Sequence, residues 1–131
     1  MPIHVELVSP ERILYSDDAE MVICRTVGGG EIAFLTGHTP FLGALDIAPV
    51  RIKTTEGNWE EAAVDGGFVH MRDDRAILLS DAAELASQID VEKERRRRED
   101  LERKAMDSDD TAVEAELRAV HVRIELAGRL G

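Results

Sequence analysis

A chain of 131 residues, 44% of them apolar, is long enough for one ordinary domain with a small appendage, and disorder is excluded as its default state. A formal net charge of −11 excludes non-specific binding to nucleic acid or to anionic lipid. The single cysteine, Cys24, excludes an intrachain disulfide and reads as a buried thiol within an apolar alternation.

Ile3, Val5 and Leu7 alternate with His4 and Glu6, which predicts a half-buried strand. His4 and Glu6 also interrupt any signal-peptide apolar region, and no apolar run approaches membrane-spanning length. The expectation is a soluble, cytosolic protein able to dock on a membrane complex. Residues 21–27 form a second apolar stretch that ends at Gly28-Gly29-Gly30, where glycine permits a sharp reversal. Residues 32–35 are a third short strand, followed by a Gly37-His38-Thr39-Pro40 turn. Val50, Ile52 and Thr54 alternate with Arg51 and Lys53. Glu56-Gly57-Asn58 turns that strand into residues 59–64. A Val64-Asp65-Gly66-Gly67-Phe68-Val69 motif follows, and residues 68–71 and 76–79 flank a hairpin at Arg72-Asp73-Asp74-Arg75. Short strands at this spacing predict an antiparallel β-sandwich or flattened barrel over residues 1–85.

Beyond Phe68 the chain has no Gly or Pro until Gly128, and its character changes. Asp90 is the expected N-cap of a helix running to about Met106, and Asp107-Ser108-Asp109-Asp110 is a polar turn. Thr111 and Glu114 have capping-box spacing for a second helix. Val113, Leu117, Val120 and Ile124 form a narrow apolar seam along it. The fold class is therefore α+β: a β-rich head, then an antiparallel two-helix hairpin over residues 89–131, mobile relative to the head because its apolar surface is thin.

No constellation of residues reads as catalytic or metal-binding. Phosphate-loop, nucleophile-elbow and His-Glu-x-x-His patterns are missing, and Gly28-Gly29-Gly30 runs into Glu31, which repels phosphate. His38 is either a contact residue at a loop tip or a loop histidine bonded to local backbone. Residues 93–104 carry seven basic and four acidic side chains, the one cationic segment of an acidic chain. That segment is either a solvated helix face with i,i+4 pairs or an electrostatic contact for an acidic protein partner. The Val113–Ile124 stripe is either hairpin packing or a contact for a partner helix.

Three segments, in this order and spacing, resemble the epsilon subunit of F-type ATP synthases. They are Gly30-Glu31-Ile32-Ala33-Phe34-Leu35-Thr36-Gly37-His38-Thr39-Pro40-Phe41-Leu42, the Val64–Val69 motif, and Ile89-Asp90 opening the charged hairpin. The resemblance covers essentially the whole chain, with Thr36 standing where the family usually has proline. It implies a non-catalytic subunit of the central rotor, peripheral on the cytoplasmic face of the membrane. Its partners are the gamma subunit, the c-ring and, through the tail, the alpha/beta catalytic head. Glu31 and His38 fall where the family faces the c-ring. Lys93, Arg95, Arg96, Arg97, Arg98, Arg103 and Lys104 fall where the family's tail meets an acidic segment of beta and inhibits ATP hydrolysis. Some members hold ATP at an Ile/Leu-Asp-x-x-Arg-Ala pattern, which makes Ile89, Asp90 and Lys93 the candidate cofactor positions. Here Lys93 replaces the arginine and Glu94 the alanine. Lysine lacks the planar fork and the carboxylate repels phosphate, so the leading reading has no cofactor, and a nucleotide-sensing tail is the alternative.

Overall fold

The computed structural model describes residues 1–107 and 109–130. Its strands are β1 (Ile3–Val8), β2 (Ile13–Thr26), β3 (Gly30–Phe34), β4 (Phe41–Thr54), β5 (Trp59–Arg72), β6 (Arg75–Ser80) and β7 (Ala83–Leu85). A short 3-10 turn, Ala86–Gln88, leads into helices α1 (Val91–Asp107) and α2 (Thr111–Leu130).

The strands pair in the order β1-β6-β5-β4-β2-β3, and β1 pairs with β2 as well, so the sheet closes on itself as a flattened barrel. β7 pairs with the first half of β5. The antiparallel expectation holds for every pairing but one: β1 runs parallel to β6, from His4 opposite Arg75 to Val8 opposite Leu79. Period-2 alternation on β1 puts Ile3, Val5 and Leu7 inside, where they meet Val22, Phe34, Ile52, Val69 and Leu78. The core is aliphatic apart from Phe34, as the scarcity of aromatics predicts.

Two strands are longer than the sequence signals predict. β4 begins at Phe41, not near Val50. Proline cannot donate to a ladder, so Pro49 argues against a central strand. Pro49 sits where the β2–β4 register shifts, between the Ile23–Arg51 and Thr26–Leu45 pairs, and on its other side it stands opposite Ala63 of β5. β5 is one continuous strand through Gly66 and Gly67, not two. These residues have φ of +89° and +117°, and a Cβ built on Gly67 would lie 2.0 Å from the Leu79 carbonyl oxygen. Only glycine fits this bend. It divides β5 into a half paired with β7 and a half paired with β6.

Asp90 caps α1 as expected, accepting a bond from the Lys93 amide at 3.2 Å. The cap of α2 lies one residue earlier than the capping-box spacing suggests. Asp110 Oδ1 accepts from the Ala112 amide at 2.9 Å, and the Asp110 carbonyl accepts from the amides of Val113 and Glu114. A carboxylate beside a helix N-terminus gains from the dipole, so Asp110 outcompetes the Thr111 hydroxyl. Ser108 of the expected turn lies outside the described residues.

The tail is docked on the head. The expected seam is only half of α2's buried surface: Val120 is buried and Val113, Leu117 and Ile124 are half-buried, but Ala119, Arg123 and Leu126 are buried too. Leu126 packs with Ala63, Ala86, Val122 and Ile89 to form a second small core between helix and head. α2 thus lies between β4, β5 and the 3-10 turn on one side and α1 on the other.

Candidate functional site

Glu31 and His38 occupy the two ends of the β3 region. Glu31, second residue of β3, is exposed and pairs across the ladder with Arg25. It lines a polar cleft of about 290 Å³ with Arg51 and with Glu125 and Arg129 of α2. His38 is half-buried in a turn whose backbone bond runs from its amide to the Leu35 carbonyl at 3.1 Å. Its ring meets Phe34 edge-on with centroids 4.8 Å apart, and Nδ1 donates to the Thr39 carbonyl at 2.7 Å. One edge of the ring thus bonds local backbone and packs, and the loop around it is exposed. The Thr36 hydroxyl donates to the Met1 carbonyl, and the Gly37 amide donates to Asp74 at 2.8 Å, so side-chain bonds tie this loop to two neighbouring segments without proline.

A second surface follows from the pleat of β4, β5 and β6. Side chains opposite to the core-facing set point outward, and here they are apolar: Leu42 is 71% exposed, Phe68 60% and Leu79 54%. With His70 and Ile77 they line a shallow hollow of about 310 Å³. Cross-strand register places Phe68 opposite Leu79 and His70 opposite Ile77, so the patch is contiguous. Clustered apolar side chains in water mark a surface meant to be covered. The sequence reading gave this face no role. Its signal was Phe68, an aromatic in the position that alternates with buried Val69.

The basic run of α1 is largely engaged within the tail. Arg95 pairs with Glu92 at 2.8 Å, Arg97 with Glu116 of α2 at 3.3 Å, Arg98 with Glu102 at 3.6 Å, and Arg103 with Asp100. Lys93, Arg96 and Lys104 are exposed and have no ion pair among the described residues. All these pairs are exposed, each worth only about 0.2–1 kcal/mol, so the run is free to exchange partners. The structure gives Ile89, Asp90 and Lys93 separate tasks. Ile89 packs into the small helix–head core, Asp90 caps α1, and the Lys93 side chain is exposed. Glu94, at the position of the alanine, is buried, on a helix that packs chiefly on α2.

The residue that sequence reasoning missed is Arg123. It lies on the buried face of α2, 6% exposed, with Nη1 donating to Asp65 at 2.8 Å and Nε donating to Glu84 at 3.2 Å. Burial opposes its charge, but the bonds and charges of Asp65 and then Glu84 outweigh that, and its pKa is raised above the ordinary arginine value. Arg118 with Asp46 at 3.6 Å and Arg129 with Glu61 at 3.0 Å flank it. The available signal was periodicity: Arg123 stands three residues from both Val120 and Leu126, where an apolar residue is expected. No group of acidic, histidine or cysteine side chains suited to a metal occurs among the described residues. No described helix is long and apolar enough to cross a membrane.

Residues 2–86 match the family described as ATP synthase, Delta/Epsilon chain, beta-sandwich domain. The chain is 44% identical over 124 residues to the ATP synthase epsilon chain of Streptomyces griseus, covering 92% of this chain and 97% of that protein. It is 37% identical over 133 residues to the ATP synthase epsilon chain of Halalkalibacterium halodurans, covering 97% and 98%. A chain of the Euglena gracilis mitochondrial ATP synthase (OSCP/F1/c-ring) shares its fold, with a TM-score of 0.77 at 23% identity over 99% of this chain and 82% of that one.

Proposed function

Because the chain belongs to the ATP synthase delta/epsilon chain family, we propose that it serves as the epsilon subunit of a proton-translocating F-type ATP synthase, a non-catalytic part of the central stalk. The observation that carries the reading is that similarity to whole epsilon chains runs through the tail as well as the head. A head alone would fit many adaptor roles; head and charged hairpin together fit this one.

Three surfaces divide the work. The apolar face around Leu42, Phe68 and Leu79 is the docking face for the gamma subunit, since a permanent rotor contact needs apolar area that water would otherwise meet. The exposed Glu31 at one end of β3 and the His38 loop beyond its other end contact the c-ring. The tail regulates. Lys93, Arg95–Arg98, Arg103 and Lys104 meet an acidic segment of the alpha/beta head when the helices leave their dock, and so oppose ATP hydrolysis. Weak, exposed internal pairs support this reading, because exchanging them for an external acidic partner costs little. The protein is then peripheral, held at the cytoplasmic face of the membrane by the complex.

Purification of a tagged full-length copy from its own membranes tests the assignment: gamma, the catalytic subunits and the c-ring are expected with it. Retention of none of them overturns it. Replacing Arg95, Arg96, Arg97 and Arg98 by alanine tests the tail. ATP hydrolysis by the assembled complex is expected to rise, and unchanged hydrolysis overturns the regulatory role alone.

A further inference from the structure

The two tail helices are held by different means. α2 sits on the head through a buried arginine shared by two carboxylates from two strands, Asp65 of β5 and Glu84 of β7, with Nη1 also donating to the Ala119 carbonyl at 3.3 Å. Arg118–Asp46 and Arg129–Glu61 extend that attachment toward the helix ends, and Leu126 seals it against Ala63 and Ala86. Removing α2 from the head takes the buried Arg123 away from two half-buried carboxylates, which are left without their shared cation.

α1 has no comparable hold. It packs chiefly on α2, with Leu101 as its one fully apolar buried residue. The other buried residue of α1 is Glu94, 6% exposed, whose Oε2 has no hydrogen-bond partner among the described residues. A buried carboxylate oxygen without a donor destabilises the packed state and regains its hydration on opening. Because α1 packs chiefly on α2, the packed state of α1 carries its own destabilising group, whereas the attachment of α2 to the head carries a satisfied one.

We infer that the tail opens in two steps: α1 separates from α2 first, and α2 stays on the head until the Arg123 clamp breaks. The inference deepens the regulatory reading of the tail and rests on it for its biological meaning, but it concerns the free chain and is testable there. It assigns Glu94 to the ease of the first step and Arg123 to the resistance of the second.

Hydrogen exchange on the full chain, read by mass spectrometry helix by helix, tests it. Amides of α1 are expected to exchange about tenfold faster than those at the centre of α2. Glu94→Leu is expected to slow α1 by about tenfold and to leave α2 within about twofold. Arg123→Met is expected to accelerate α2 by about tenfold or more, while β5 and β6 keep their protection as the internal control for folding. Should that control fail, Arg123→Lys carries the test, because lysine keeps the charge without the planar fork that reaches both acids. Equal protection of both helices, or equal shifts of both in either variant, overturns the inference: the hairpin then leaves as one rigid piece. Exchange as expected with unchanged ATP hydrolysis in the alanine series would instead sink the regulatory reading and leave the two-step opening standing.

Discussion

Gly67→Ala probes the bend on which both the docking face and the tail clamp depend. β5 carries Asp65 on one side of the bend and Phe68 on the other. At φ +117° an alanine is outside the favoured regions, which costs about 1–3 kcal/mol. Its Cβ would also lie 2.0 Å from the Leu79 oxygen and 2.7 Å from the Ser80 Cα, both backbone atoms that no rotamer change can move. β5 and β6 must part by more than an ångström there, weakening one or two ladder bonds at about 1 kcal/mol each. The expected loss is roughly 2–5 kcal/mol, a large share of the roughly 5–15 kcal/mol of a typical domain. With a urea slope of about 1–3 kcal/mol per molar, the unfolding midpoint should fall by about 2 M. Gly28→Ala is the control. Its φ is +75° and nothing lies within 4 Å of the added Cβ, so only the left-handed conformation costs, about 1–2 kcal/mol. Equal midpoints for the two variants would refute the steric argument for the bend.

Phe68→Asp should leave the unfolding midpoint within about 0.5 kcal/mol of the parent, since the ring is 60% exposed, and should abolish retention of gamma by a tagged chain. Glu31→Ala combined with His38→Ala should lower coupling of proton flow to ATP synthesis in membrane vesicles; normal coupling would remove these residues from the c-ring contact. His38→Ala alone should also cost about 1 kcal/mol in urea unfolding, because the ring packs edge-on to Phe34. Cys24 is pushed up to about 12, first by burial and then by the charge of Glu31. The folded chain keeps the thiol proton where the unfolded chain loses it, so stability from this group is lost as pH rises above the ordinary thiol value of about 8.5. Cys24→Ala should flatten that alkaline decline even though it lowers stability at neutral pH.

Much of the head was legible because its signals are local. Alternation on β1, the Gly28–Gly30 reversal and the Asp73-Asp74 turn, whose φ values are 51° and 58°, each act within a few residues. What failed was any feature decided by distant partners. Pro49 reads as a strand breaker until the β2–β4 register shift is known, and Gly66-Gly67 reads as a turn until β6 and β7 are seen to take different halves of β5. The docking of the tail was not legible, because counting only apolar residues along α2 finds a thin seam. The helix docks through Ala119, Leu126 and a buried arginine, and an arginine counts as surface until Asp65 and Glu84 are placed beside it. The contact role proposed for Glu31 and His38 rests on their motif alone. Nothing in composition marks an exposed glutamate or a loop histidine as a contact.

The parallel pairing of β1 with β6 has a consequence for biogenesis. β1 finds one of its two partners only after β6 has emerged from the ribosome, because His4 lies opposite Arg75. Until then β1 is held only through β2, which β3 and β4 extend into an open sheet with β1 at its edge. The barrel thus closes late and across a long loop, which places its folding among the slower, non-local topologies, while α1 and α2 coil in microseconds once synthesised. A nascent chain stalled before β6 would present one open, apolar edge on β1, the form most exposed to chaperones and proteases.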